Sequence, residues 1–270
     1  MNVNKKLIDI KDRIEERSKD SRSDYLKKIK FSSDHSKSAR KNMGCSNIAH
    51  AFASCDKAQQ NQGANGGTVI GVVSAYNDML SAHAPLKDYP DIIKNSAEKR
   101  NAIARVAGGV PAMCDGITQG EPGMELSLFS RDVIALSTAV AFSHNVFDAG
   151  ICLGVCDKIV PGLVIGALSF GHLPIAIIPA GPMPTGISNE EKSSNRKKYA
   201  SGEIDRSALI LSEQSAYHSS GTCTFYGTAN TNQLIMEVMG LQLPSASFYQ
   251  PNSKERQLLI DRTVECILEL

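Results

Sequence analysis

The sequence predicts an α/β fold: a mostly parallel, doubly wound sheet with helices on both faces, behind an N-terminal helical arm. Two observations carry this. Short β-branched and apolar runs recur at Thr68–Ala75, Asp148–Val155 and Pro174–Ala180, with the unbroken hydrophobicity of strands buried on both faces. Segments of helical period separate them, over 89–104, 130–145 and 161–170, with short connections.

Composition sets the frame. The chain has 270 residues, of which 42% are hydrophobic, enough for a real core and against general disorder. A formal net charge of +1 gives no electrostatic reason to expect nucleic acid or a membrane surface as partner. No apolar run reaches the roughly 18 residues that span a bilayer, and 1–30 is rich in charge, so a cytoplasmic protein is expected. Seven cysteines, irregularly spaced and without a Cys-x-x-Cys pair, fit reduced thiols or metal ligands better than a disulfide framework or a zinc ribbon.

In chain order, Met1 to about Phe31 reads as one or two amphipathic helices. From Ser32 to Gly67 the composition turns polar, with a short helix over Ile48–Ala58 and a loop at 61–67; residues 1–67 thus form the arm and 68–270 the α/β domain. Thr68–Ala75 is the first strand, and it runs straight into Tyr76-Asn77-Asp78-Met79-Leu80-Ser81-Ala82-His83. A helix over Tyr89–Ala104 leads to a second strand at Gly108–Ile117, carrying Cys114 and Asp115; alone, Asp115 before Gly116 reads as a turn residue. Ser130 is placed to cap a helix running to about Asn145. Asp148–Val155 is the third strand, Pro161–Phe170 the next helix and Pro174–Ala180 the fourth strand. Helices are expected over Asn189–Ser201, Asp205–His218, from near Asn230, and over Ser253–Leu270. The last carries no stop signal, which suggests that more chain follows.

Parallel strands end on one side of their sheet, so three loops should converge: Asn77, Asp78 and His83 after the first strand, Cys114 and Asp115 after the second, and Cys156, Asp157 and Lys158 after the third. Thiolates beside carboxylates point to iron in an iron-sulfur cluster, with room for a divalent cation nearby, rather than to zinc alone. The glycines and hydroxyls of Gly221–Thr231, ahead of a helix, make an anion site that no preceding strand supports; Ser219, Ser220, Thr222, Thr224 and Thr228 are its candidate phosphate contacts.

Several ordered motifs carry a family resemblance. Gly154-Val155-Cys156-Asp157-Lys158-Ile159-Val160-Pro161-Gly162, Cys114-Asp115-Gly116-Ile117-Thr118-Gln119-Gly120, Ser127-Leu128-Phe129-Ser130-Arg131 and Gly181-Pro182-Met183 together resemble the family that unites the dihydroxy-acid and phosphogluconate dehydratases. Ser74–His83, Ala167–Pro174 and Gly221–Gln233 resemble its phosphogluconate branch more closely. The resemblance implies a hydro-lyase that converts 6-phospho-D-gluconate to 2-dehydro-3-deoxy-6-phosphogluconate, a phosphorylated sugar acid being the small-molecule partner and a homodimer the assembly. It also implies an iron-sulfur cluster (4Fe-4S) held by Cys156 and Cys223. In the dihydroxy-acid relatives a further ligand cysteine lies in the first-strand loop, where this chain has Ser81-Ala82-His83; either His83, Cys114, Cys45 or Cys55 takes that place, or the cluster has only two firm anchors in this half and His83 is a substrate hydrogen-bond partner or a buried structural imidazole. Asp115, Asp157 and Lys158 match positions that in those relatives bind Mg2+, the lysine as a carbamate; otherwise Asp157 and Lys158 are a catalytic pair that orients the substrate carboxylate. The family's β-rich C-terminal domain has no counterpart in these residues, so activity of the chain alone is not expected. Dehydration of another sugar acid or of a dihydroxy acid, or a non-catalytic remnant, are the alternatives.

Overall fold

The computed structural model describes residues 3–223 and 228–270, and of 35–39 and 41 the backbone alone. The arm opens with α1 (Lys5–Asn42), one helix of 38 residues where one or two ending near Phe31 were expected. It runs on through the polar stretch because no Gly or Pro interrupts residues 5–42. Its first half is exposed on all sides, Leu7, Ile10 and Ile14 included, while further along Tyr25 Oη donates to the Leu168 carbonyl at 2.9 Å and Arg40 pairs with Asp148. The helix expected over 48–58 divides into α2 (Cys45–Phe52) and α3 (Lys57–Ala64), since the Asp56 carboxylate caps the latter by accepting from Gln59 N at 2.9 Å. α3 therefore occupies part of the loop expected at 61–67.

Then follow β1 (Val69–Ser74), α4 (Tyr89–Glu98), β2 (Ile103–Gly109), the single turn α5 (Asp115–Thr118), α6 (Ser130–Phe142), β3 (Ala149–Leu153), α7 (Ile159–Leu168), β4 (Ile175–Ile178), α8 (Asn189–Ala200), α9 (Arg206–Ala216), α10 (Ala229–Val238) and α11 (Lys254–Glu269). All four strands are parallel, in the order β2-β1-β3-β4. The second strand lies earlier than its expected place at 108–117. Asn101, at φ 55, closes α4 into a turn, Ile103–Gly109 pairs with β1, and Pro111 has no N–H with which to extend the ladder. Ser130 begins α6 without a capping bond, its hydroxyl donating instead to the Ser127 carbonyl at 2.6 Å.

The chain leaves β1 toward β2 on one side and returns to β3 on the other, so the sheet has a switch point between β1 and β3. Right-handed crossovers then put α4 on one face, where α11 packs on it, and α6 with α7 on the other. α6 and α7 approach closely: a Cβ at Gly166 would stand 2.6 Å from the Ala135 carbonyl. Between these layers Val69, Ile70, Val72, Val73, Ile151 and Leu153 are wholly or almost wholly buried. α11, capped by Ser253, buries Leu259, Ile260, Val264 and Ile267 against α4. Among the described residues no helix is long and apolar enough to cross a membrane.

Candidate active site

In an open α/β sheet the crevice for ligands lies beyond the carboxyl ends of the strands at the switch point. Here the loops after β1 and β3 flank it, and the β2 exit joins them. After β1, Asn77 Oδ1 accepts from Leu80 N at 2.9 Å, a turn-forming bond; Asp78 is exposed. His83 has no exposed surface, and neither ring nitrogen has a hydrogen-bond partner; the Val155 backbone lies beside the ring without reaching hydrogen-bond geometry. Burial lowers its pKa to about 4, the Val155 backbone opposing, so the imidazole is neutral.

An ion triad bridges the β2 and β3 exits. Lys158, 3% exposed, donates from Nζ to Asp115 and stands 3.1 Å from Asp157 Oδ1. Ser127 Oγ donates to the other Asp115 oxygen at 2.6 Å. Burial alone would lower the Lys158 pKa, but bonds to Asp115 and Asp157 outweigh it and raise the value. For Asp115 burial pushes up, and Lys158 with Ser127 more than offsets it, so its pKa falls. Lys158 is thus an ammonium at neutral pH, paired with an ionised Asp115 and beside Asp157. Asp115 is therefore a charge partner of Lys158 and not only the turn residue that its place before Gly116 suggested.

Cys156 lies between β3 and α7 at φ 77, a left-handed conformation that costs a non-glycine residue on the order of 1–2 kcal/mol. Strain at a strand exit is a mark of a functional position. Burial raises its thiol pKa; Cys114, Asp157 and Cys223 add to the rise and Lys158 opposes it, so Cys114 and Cys223 each lie within electrostatic reach of Cys156. Cys223 is held by backbone contacts. Thr222 N donates to the Gly181 carbonyl at 2.9 Å and Met183 N to the Thr222 carbonyl at 2.8 Å, stitching the loop to the exit of β4. Gly221 at φ 128 lets the loop pass, because a Cβ there would meet Met183 N at 2.6 Å, and its N–H donates to the Ser81 carbonyl at 2.7 Å. Asn230 Nδ2 donates to the Cys223 carbonyl at 2.8 Å, and Asn230 Oδ1 accepts from Thr222 Oγ1 at 2.6 Å.

That last pair takes the Thr222 hydroxyl away from any phosphate. Ser220 and Thr228 are exposed, and Thr224 lies outside the described residues. Ser127 and Asn230 had been visible only as parts of longer motifs; nothing in their local spacing announces their bonds to Asp115 and Cys223.

Two groups can be tried on this site. Among the described residues no three His, Cys, Asp or Glu side chains form a cage for a single ion. Mg2+ does not fit between Asp115 and Asp157 while the Lys158 ammonium stands there. An iron-sulfur cluster asks for soft donors on separate irons rather than for one meeting point, and thiols spread around the mouth suit it. A surface cavity of about 500 Å³ elsewhere, lined by His50, Arg105 and His144, offers less chemistry. Arg105 is bonded to the Ala51 carbonyl and Ser54, and His144 Nδ1 to the Ala141 carbonyl at 2.9 Å.

The family described as "Dihydroxy-acid/6-phosphogluconate dehydratase N-terminal" matches residues 68–270. A phosphogluconate dehydratase of Pseudomonas aeruginosa is 54% identical over 255 residues, 94% of this chain and 42% of that protein. That of Escherichia coli is 53% identical over 263 residues, 95% of this chain and 43% of the relative. A dihydroxy-acid dehydratase of Aquifex aeolicus is 33% identical over 208 residues, 75% of this chain and 37% of its own length. The chain thus spans about two fifths of the length of these relatives.

Proposed function

Because the chain belongs to the dihydroxy-acid/6-phosphogluconate dehydratase family, we propose that it serves a hydro-lyase reaction, the removal of water from 6-phospho-D-gluconate to give 2-dehydro-3-deoxy-6-phosphogluconate. The observation that carries the choice of substrate is the gap between 54% identity to a phosphogluconate dehydratase and 33% to a dihydroxy-acid dehydratase. Seven thiols kept reduced favour a reducing compartment such as the cytoplasm. The exposed apolar residues of α1 favour a second copy as partner, which the mass of the protein in solution tests.

In this reading Cys156 and Cys223 hold an iron-sulfur cluster of the 4Fe-4S type, and His83 backs the Cys156 loop from beneath or joins the ligands. When bound, such a cluster supplies Lewis acidity that turns a hydroxyl into a better leaving group. The chain's own residues do the rest of the positioning. Lys158 stays protonated between Asp115 and Asp157, and its charge orients the substrate carboxylate. Asp157, partly exposed, accepts from a substrate hydroxyl. Ser127 fixes the Asp115 carboxylate and, through it, the position of the ammonium. Mg2+ enters only if Lys158 first loses its proton, as a carbamate requires.

The test is anaerobic reconstitution with iron and sulfide, followed by assays on 6-phosphogluconate, gluconate and a dihydroxy acid. A chain extended to the relatives' length is expected to prefer 6-phosphogluconate, and residues 1–270 alone to bind iron with little turnover. Equal rates on gluconate would sink the phosphorylated substrate. No bound iron, with Cys156 and Cys223 intact, would favour a non-catalytic remnant.

A further inference from the structure

The seven thiols sort by their place on the sheet. Cys152 lies inside β3 with no exposure. Cys45 opens α2 and Cys55 follows it, and the Ala51 carbonyl of α2 is held by Arg105 of the edge strand β2. Cys266 is in the last turn of α11, next to Ile267 and Leu268, which line a surface cavity with Thr68, Asp148 and Pro174 at the amino ends of the strands. That leaves Cys114, Cys156 and Cys223 at the carboxyl ends, each partly exposed.

Bonds hold the loops of these three together. Cys114 precedes Asp115 and Cys156 stands two residues before Lys158, so the Asp115–Lys158 ion pair clamps two thiol-bearing segments side by side. The third segment reaches the same mouth through the Gly221–Ser81 bond of 2.7 Å. Soft donors drawn from three loops around one crevice suit a cluster, whose irons each take a separate ligand.

We propose that Cys114 is the third thiolate of the cluster, beside Cys156 and Cys223, which leaves one iron of a four-iron cluster without a protein ligand. The inference rests on the dehydratase reading. Each of the three thiols gives its proton to solvent as its sulfur binds iron. His83 is the competing donor, but it has no exposed surface, whereas each of the three cysteine residues is partly exposed.

The test uses the full chain, loaded anaerobically with ferrous iron and sulfide. Thiols are alkylated with iodoacetamide, with and without the cluster, and each is mapped by mass spectrometry. Iron, sulfide and the electron paramagnetic resonance of the reduced cluster are measured for wild type, Cys114→Ala and, as a control, Cys55→Ala. Loading is expected to slow alkylation of Cys114, Cys156 and Cys223 together by about tenfold or more, because a metal-bound thiolate is no longer a free nucleophile. C114A is expected to lose iron or to change the resonance, and C55A to keep both. Cys114 alkylating equally fast in loaded and metal-free wild type would overturn the proposal, and that arm needs no variant to fold. So would an unchanged resonance and iron content in C114A, or nitrogen hyperfine coupling from labelled histidine. If wild type takes up no iron at all, the dehydratase reading falls with it, an outcome distinct from wild-type iron that ignores Cys114.

Discussion

Lys158 and Arg256 are both buried cations, 3% and 0% exposed, and the fold treats them differently. Lys158 lies between two partly exposed carboxylates at the open end of the sheet. Arg256, on α11, has no carboxylate partner among the described residues. Its Nη2 donates to the carbonyls of Ala246, at 2.8 Å, and Tyr249, while Nε and Nη1 are without partners. Burial lowers its pKa, with the phenols of Tyr89 and Tyr249 opposing, and burial raises that of Tyr89 to about 12. A cation between carboxylates at a crevice can share its charge with a ligand. One bonded to the carbonyls of a packed loop cannot do so unless the loop moves. Arg256 is therefore architectural. The Tyr249 carbonyl it holds lies so close to Gly181 that no Cβ fits there, and the Gly181 carbonyl receives Thr222, the neighbour of Cys223.

Replacing each cation tests that contrast. Arg256→Ala should be the most damaging, costing about 3–4 kcal/mol, because it strands two buried carbonyls and removes packing. Urea unfolding measures it, and Arg256→Met separates charge from volume. If the methionine variant matched wild type, the guanidinium would contribute only bulk and the contrast would collapse.

Lys158→Met is expected to cost about 1–2 kcal/mol at neutral pH, since it leaves Asp115 and Asp157 facing each other. The pH dependence has a definite sign. The lowered pKa of Asp115 gives stability that is present above its unfolded value and lost as pH falls through the folded one. The raised pKa of Lys158 gives stability that is full below its unfolded value and lost as pH rises through the folded one. The gap between wild type and variant should thus be widest from about pH 4 to about pH 10 and narrow outside. A gap independent of pH would mean that Lys158 acts by packing.

The half-buried clamp of Arg100 and Asp261, 2.9 Å apart, sets the baseline. Asp261→Asn should cost under about 1 kcal/mol. Bonds from Arg100 and Ser96 hold the Asp261 pKa at about 2, so the small loss should vanish as pH falls from the ordinary carboxylate range to about 2. Thermal unfolding across that range would show it.

Legibility followed how local the cause was. The run Thr68–Ala75 announces a buried strand by itself, and β1 occupies 69–74 of it. The second strand was misplaced because the turn at Asn101 and the missing N–H of Pro111 compete with hydrophobicity for the same residues. Asp115 read alone as a turn residue, and only the parallel order of β2, β1 and β3 brings Lys158 to it. The loop of Cys223 has no strand before it and owes its place to hydrogen bonds with residues 181 and 183 and with Ser81. Arg256 and Ser127 carried no sign of their roles.

By itself the sequence determined the α/β class, the exits of the first and third strands and the family motifs, because backbone propensity, hydrophobic period and motif order are written in neighbouring residues. The tertiary structure decided which side chains meet. It set an ammonium between carboxylates from two different strand exits, turned Cys156 into a left-handed conformation, and gathered three of seven thiols at one mouth. Those pairings join residues far apart in the chain, and the crossovers and switch point of the sheet alone make them neighbours.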